Sequence, residues 1–132
     1  MNMTVNVGDV IPTFVRETGF ANWNRYAAVN DEFVPIHMDD AAGEAAGNGG
    51  AFGMGNLQWA YLHNMLRAFV GENGEILGME VQFRSPNVKG QTLTAHGVVT
   101  GIEGDVISLE IWTDTQDGLK LAPGSATVRM GK

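Results

Sequence analysis

Cysteine is absent from the sequence, which excludes disulfides, thiolate nucleophiles and cysteine-based zinc sites. That lack fits a reducing cytoplasm without requiring one. Basic residues are scarce, eight against fifteen acidic ones, for a formal charge of −7. They stand singly from Arg16 to Lys132, with neither the net positive charge nor the dense stripe of a nucleic-acid binder, so no nucleic-acid partner is expected. No apolar run approaches the roughly 20 residues that cross a bilayer. The opening residues, MNMTVNVGDV, lack a basic stretch leading into an apolar one, so neither a signal peptide nor membrane contact is expected. These absences point to a soluble, cytoplasmic protein.

What is present is enough for a core. The chain has 132 residues, 44% hydrophobic and 17% charged, and is read as one domain over 1–132. Its 18 glycines are scattered rather than periodic, as expected of tight turns and close backbone approaches. No repeat, low-complexity segment or linker interrupts it.

Val10 to Phe20 is β-compatible, with Pro12 near a ragged start, and predicts a strand. Ala21 to Asn30 predicts a short helix with Trp23, Tyr26, Ala27 and Asn30 on one face. Pro35 forces Val34 toward extended geometry and stops it. Asp39 then caps a second short helix, Asp40 to Ala46, ending at Gly47. The longest helical pattern runs from Gly55 to Val70 and closes at Gly71. Only Gln58, His63, Asn64 and Arg67 are polar within its body, so it is expected to be buried on several sides. Beyond it the pattern turns to period two: Met79, Val81, Phe83; then Ile107, Leu109, Ile111; then Ala126, Val128, Met130. Turn signals at Ser85-Pro86-Asn87, Lys89-Gly90, Glu103-Gly104-Asp105 and Asp117-Gly118 separate these strands. A long buried helix followed by an antiparallel meander is an α+β layout, an antiparallel sheet wrapped around a long central helix.

The chemistry-bearing residues concentrate between Tyr26 and Asn56. Asp31, Glu32, His37 and Asp39 crowd a proline-enforced turn. A carboxylate and a histidine five positions apart converge on one water if the backbone turns back, supplying the acid and base of reversible water addition. The plainer alternative is a surface or capping histidine, with Asp39 and Asp40 as helix-start carboxylates. A metal site of His37, Asp39 and Asp40 lacks the well-separated ligand pairs of zinc sites. The glycine-rich run from Gly47 to Asn56 leads into the long helix, where free N–H groups at the helix start, Gly55 first, would receive a carbonyl or enolate oxygen. No Lys-Ser/Thr follows, which argues against a phosphate cradle, and a plain flexible loop is the other reading.

With those residues in view, the sequence resembles the MaoC-like, or (R)-specific enoyl thioester hydratase, group of hot-dog proteins. Their motif Y-A-x-x-S-G-D-x-N-P-I-H-x-D is matched at Tyr26, Ala27, Pro35, Ile36, His37 and Asp39. Their A-H-G-M at the helix start aligns without a gap to Met54-Gly55-Asn56, and Phe83 to Gly90 is similar to their F-x-x-P-V-x-P-G turn. The resemblance implies a hot-dog fold and a carboxylate–histidine pair, Glu32 with His37, with Asp31 as the neighbouring candidate carboxylate. It also implies substrate contacts at Gly55, Val34, Met54 and Asn56. Three positions depart from the pattern. Glu32 stands for Asp, shifting the carboxylate by a methylene; Val34 stands for Asn, losing a supporting amide; and Met54 stands for His.

The implied reaction is hydration of a trans-2-enoyl thioester, or its reverse, on a CoA or acyl-carrier-protein thioester, with no metal or redox cofactor. A lone hot-dog unit leaves a sheet edge and much of its pocket open, so a homodimer, or a heteromer with a second hot-dog subunit, is expected. A non-catalytic partner subunit is one rival. A thioesterase using Gln58, His63 or Asn64 of the helix is another, and a ligand-binding hot-dog protein without turnover is a third.

Overall fold

The computed structural model describes residues 4–30, 35–45, 51–53 and 55–131. Along the chain run β1 (Phe14–Glu17), α1 (Phe20–Asn30), a 3₁₀ turn (Pro35–His37), α2 (Asp40–Ala45), α3 (Gly55–Val70), β2 (Glu75–Val81), β3 (Thr92–Glu103), β4 (Val106–Asp114) and β5 (Lys120–Arg129). The strands form one five-stranded sheet in the order β1-β3-β4-β5-β2, antiparallel throughout.

Helix boundaries follow local chemistry. At the start of α1 the Gly19 N–H donates to Asn22 Oδ1 at 2.8 Å, so a side chain three residues on satisfies the entry of the helix. Asp39 caps α2 as expected, accepting from the Ala41 N–H at 3.0 Å. α3 stops at Gly71, whose φ of 78° is the left-handed conformation that terminates helices. The carbonyl of Val70 is taken by the Gly131 N–H at 3.0 Å, so the segment just after β5 closes the helix end.

α3 lies across the sheet and touches all five strands. Its Leu62, Met65, Leu66, Phe69 and Val70 pack on Ala95, Val99, Ile107, Leu109, Ile111, Ala126 and Val128, the inward residues of β3, β4 and β5. Each such side chain contributes about 1.5–3 kcal/mol on full burial, so this single helix–sheet interface dominates the fold. A second cluster gathers Trp23, Ala27 and Ala51, with Phe20, Tyr26, Met38 and Leu57 against it, and seats α1 beside the lead-in to α3.

A separate clamp joins the two ends of the long excursion that contains α1, α2, α3 and β2. The Thr18 N–H and Oγ1 both donate to the Gln91 carbonyl, at 2.9 and 2.7 Å, across 73 positions of sequence. Asn87 Nδ2 donates to Thr18 Oγ1 at 2.8 Å from a buried position, and the Gly90 N–H returns to the Thr18 carbonyl at 2.9 Å.

The α+β layout and the helix Gly55–Val70 stand as expected, and four other expectations are corrected. The segment Val10 to Phe20 is not one strand: only Phe14–Glu17 joins the ladder, and Val10 makes an isolated bridge to Val98. Pro12 offers no N–H to a ladder, and the cap at Gly19 starts the helix at Phe20. α3 is not buried around its girth: Trp59 is 37% exposed, His63, Asn64, Arg67 and Ala68 are exposed, and the polar Gln58 is 2% exposed. The strands are not a simple meander, because β2 pairs with β5 at the far edge while β1 takes the opposite edge. Two edges are therefore open among the described residues, rather than one. Phe83 lies beyond β2 and is 49% exposed. Among the described residues, no helix is long and apolar enough to cross a membrane.

Candidate active site

A short extended segment, Ala51 to Gly53, runs between the 3₁₀ turn and the loop before β3, and both sides hold it. The Phe52 N–H donates to the Ile36 carbonyl at 2.9 Å, and Phe52 bridges Val88. The Gly53 N–H donates to the Asn87 carbonyl at 2.5 Å, and the Ala51 N–H to Asp40 Oδ1 at 3.0 Å. Asp40 also receives Lys89 Nζ at 2.5 Å, tying the start of α2 to the opposite loop. The Lys89 ammonium first, and the Ala51 N–H second, hold the Asp40 carboxyl below its usual range. Asp40 is thus a strut of this segment and not only a helix-start charge.

His37 ends the 3₁₀ turn and is half-buried. Its Nδ1 meets the Phe52 carbonyl at 2.5 Å, and its ring stands edge-on to Phe52 with centroids 5.4 Å apart. A carbonyl oxygen can only accept, so Nδ1 carries the proton and Nε2 is the nitrogen left for a ligand. That nitrogen has no hydrogen bond to a described residue.

Beside His37 opens a cavity of about 250 Å³, lined by Phe52, Gly53, Gln58, Phe83, Arg84, Ser85 and Pro86 as well as His37. Its floor is Gly53 and Gln58, both buried, and its rim includes the exposed Phe83 and Arg84. Arg84 is held by Gln82 Oε1, at 3.1 Å from Nε and 2.8 Å from Nη2. Gln58 Oε1 receives the Thr113 hydroxyl at 2.7 Å, joining α3 to β4 under the cavity.

Of the residues singled out in the sequence, His37 stands at this cavity, and Gly55 opens α3 two positions after Gly53. Asn56 lies in the first turn of α3. Asp31, Glu32, Val34 and Met54 lie outside the described residues, as do Ala46, Gly47 and the rest of the glycine run through Gly50. His63 and Asn64 sit on the exposed face of α3, away from Gln58, so the three do not form one cluster. Among the described residues, no group of three or more histidine or acidic side chains is placed to hold a metal ion.

In the sequence the rim residues Phe83 to Pro86 mark a strand, a turn and a motif rather than a site, and the Ser85-Pro86 turn after Phe83 is the signal that could have found them. His96, on β3, stands apart from this cavity. Its Nε2 lies 2.8 Å from Asp114 Oδ1, and its ring stacks on Trp112 at 5.1 Å on the sheet face away from α3. Two strands pair these residues, which no local sequence pattern could reveal.

A long helix laid on a curled antiparallel sheet, with the cavity at the helix start, is the hot-dog fold of MaoC-like dehydratases and (R)-hydratases. The (R)-hydratase from A. caviae involved in PHA biosynthesis matches with a TM-score of 0.88 at 23% identity, over 98% of this chain and 100% of that one. A chain of the ChsH1-ChsH2 complex from Mycobacterium tuberculosis matches at 0.86 and 19% identity, over 98% and 100%. R-Hydratase PhaJ1 from Pseudomonas aeruginosa matches at 0.87 and 20% identity, over 97% and 83%. At such identities the likeness is one of fold. No family model and no curated protein matches the sequence.

Proposed function

We propose that the chain adds water reversibly to a trans-2-enoyl thioester, giving the 3-hydroxyacyl thioester. The observation that carries this reading is His37: its Nδ1 is anchored by the Phe52 carbonyl, which leaves Nε2 for chemistry at the rim of the cavity. An imidazole held in one tautomer beside an apolar cavity at a helix start suits acid–base work on a bound carbonyl compound.

In the proposed step, His37 and the carboxylate of Glu32 hold one water. One of them takes a proton from it as the water oxygen bonds to Cβ. The electron pair of the Cα–Cβ double bond moves toward the thioester carbonyl, whose oxygen is stabilised by the Gly55 N–H at the start of α3. The other group delivers a proton to Cα, and the sum is one water added. Asp31 is the neighbouring carboxylate, and Val34, Met54 and Asn56 flank the substrate. CoA or an acyl carrier protein, far larger than the cavity, remains outside it as carrier.

A thioesterase built on α3 is less well supported. That helix carries no Asp or Glu, and His63 and Asn64 point away from Gln58. A second reading keeps the fold but makes this chain one member of a hot-dog pair. It rests on the open sheet edges, on the departures at Glu32, Val34 and Met54, and on a similar structure that is itself a complex.

The test follows loss of the conjugated thioester absorbance of a short trans-2-enoyl-CoA with the purified protein and with His37→Ala. Turnover that falls about 10²–10⁴-fold in the variant is the expected result. Equal turnover in both proteins would remove His37 from the chemistry. No turnover in the folded wild-type chain would favour the paired reading.

A further inference from the structure

Among the described residues that line the cavity, Gln58 is a buried side chain with a hydrogen-bonding valence left over. It is 2% exposed and borders the cavity. Its Oε1 is occupied by the Thr113 hydroxyl at 2.7 Å, and Thr113 is itself fully buried on β4. Its Nε2 has no hydrogen bond within the chain among the described residues. In this orientation the buried amide turns its N–H to whatever enters, and an N–H recognises an acceptor. Leaving that donor unmatched against an aliphatic chain carries a penalty, whereas an accepting oxygen removes it.

The shape of the cavity says which part of a ligand arrives there. The rim at Phe83 and Arg84 is exposed, while Gln58 and Gly53 are buried. About 250 Å³ is small beside the roughly 300–1,000 Å³ of common ligand sites. A pantetheine carrier cannot fit inside, so the acyl group must be the part that reaches the floor.

We propose that Gln58 is a specificity-determining residue that selects an acyl group bearing a hydrogen-bond-accepting oxygen beyond Cβ, over the plain hydrocarbon chain of equal length. The inference rests on the thioester reading above and sharpens it to an oxygenated acyl substrate. Thr113 is the positioning residue: its hydroxyl holds the carbonyl end of the amide, so that the N–H end faces the cavity.

The experiment compares 4-methoxy-trans-2-butenoyl-CoA with trans-2-hexenoyl-CoA, which differ by an ether oxygen in place of one methylene. The wild-type chain is expected to favour the methoxy compound in kcat/KM by about tenfold. Gln58→Leu is expected to lose or reverse that preference, read as the ratio of kcat/KM on the two compounds rather than as either rate alone. Gln58→Met, closer in length and flexibility, is the second variant should the first fail to fold, and the wild-type preference needs no variant at all. Calorimetric binding of the saturated pair, 4-methoxybutanoyl-CoA and hexanoyl-CoA, reads the same preference without turnover. Discrimination in binding with no turnover would sustain the role of Gln58 and overturn the hydratase reading. Turnover without discrimination would overturn the role of Gln58 and leave the hydratase reading standing. An equal loss on both substrates in the variants would assign the amide to the thioester carbonyl, and would also overturn the proposal.

Discussion

Gly53→Ala is the most demanding test of the structure around the cavity, because it adds one methyl group and nothing else. An ideal Cβ at this position lies 2.6 Å from Trp23 Nε1, 3.0 Å from Trp23 Cε2 and 2.9 Å from Asn87 Oδ1. Carbon–carbon contacts find their minimum near 3.5–4.0 Å, so every one of these separations is repulsive. Neither neighbour can step aside cheaply. Trp23 is fully buried and stands edge-on to Phe20 with centroids 5.8 Å apart, while Asn87 is buried and donates to Thr18 and Gln91. Overpacking by one methylene in a tight core costs about 1–3 kcal/mol. With an unfolding entropy near 2.1 cal/mol/K per residue over 132 residues, that becomes a fall in Tm of roughly 4–11 °C. The alternative to strain is backbone movement, and Gly53 adjoins Phe52, whose carbonyl holds His37. Binding of hexanoyl-CoA should therefore weaken alongside stability. Thermal unfolding and calorimetric binding of the purified variant provide the check. A Gly53→Ala protein with unchanged Tm would refute the close approach of Trp23 to this segment, and with it the account of how the floor of the cavity is held.

Two further changes probe the struts. Thr113→Val keeps the shape but removes the donor to Gln58 Oε1, so a loss of about 1–3 kcal/mol is expected by denaturant unfolding; a double variant with Gln58→Leu should lose less than the sum of the single changes. Asp40→Asn tests the link between α2, Ala51 and Lys89. Because these partners lower the folded-state pKa of Asp40, its ionised form favours folding above the unfolded pKa near 4, and that contribution is lost as pH falls through the lower folded value. The variant should be slightly less stable than wild type at pH 7, with the gap closing toward pH 3; a gap independent of pH would deny the carboxylate this role. The pair is exposed, so the effect should be small.

The elements most legible in the sequence are those whose signals are local. The long helix could be bounded at Gly55 and Val70 because its stripe repeats for four turns and ends on a glycine with positive φ. The inward residues Ile107, Leu109 and Ile111 follow from alternation alone. His37 stood out through the motif around Pro35. Features that depend on distant pairing were hidden. Gln58 read as one polar residue among four on a helix, and only its Thr113 partner, 55 positions away, explains how its burial is tolerated. Trp59 is apolar by type yet is 37% exposed, since apolar composition does not say where the sheet stops. The edge position of β2 was illegible for the same reason, because hydrophobic alternation carries no strand order.

The clamp of Thr18 on Gln91 has a kinetic consequence. Every residue proposed to touch substrate lies between those two positions, on a loop closed across 73 residues. Chain statistics put the entropy of closing such a loop at about 4 kcal/mol, which the small cluster around Trp23 inside it and the docking of α3 on the sheet together must offset. Contacts of such long sequence separation form late and slow folding. The cavity is therefore expected to form late in folding, since His37, Gln58 and the turn at Ser85 all lie on that one loop and meet only as it closes.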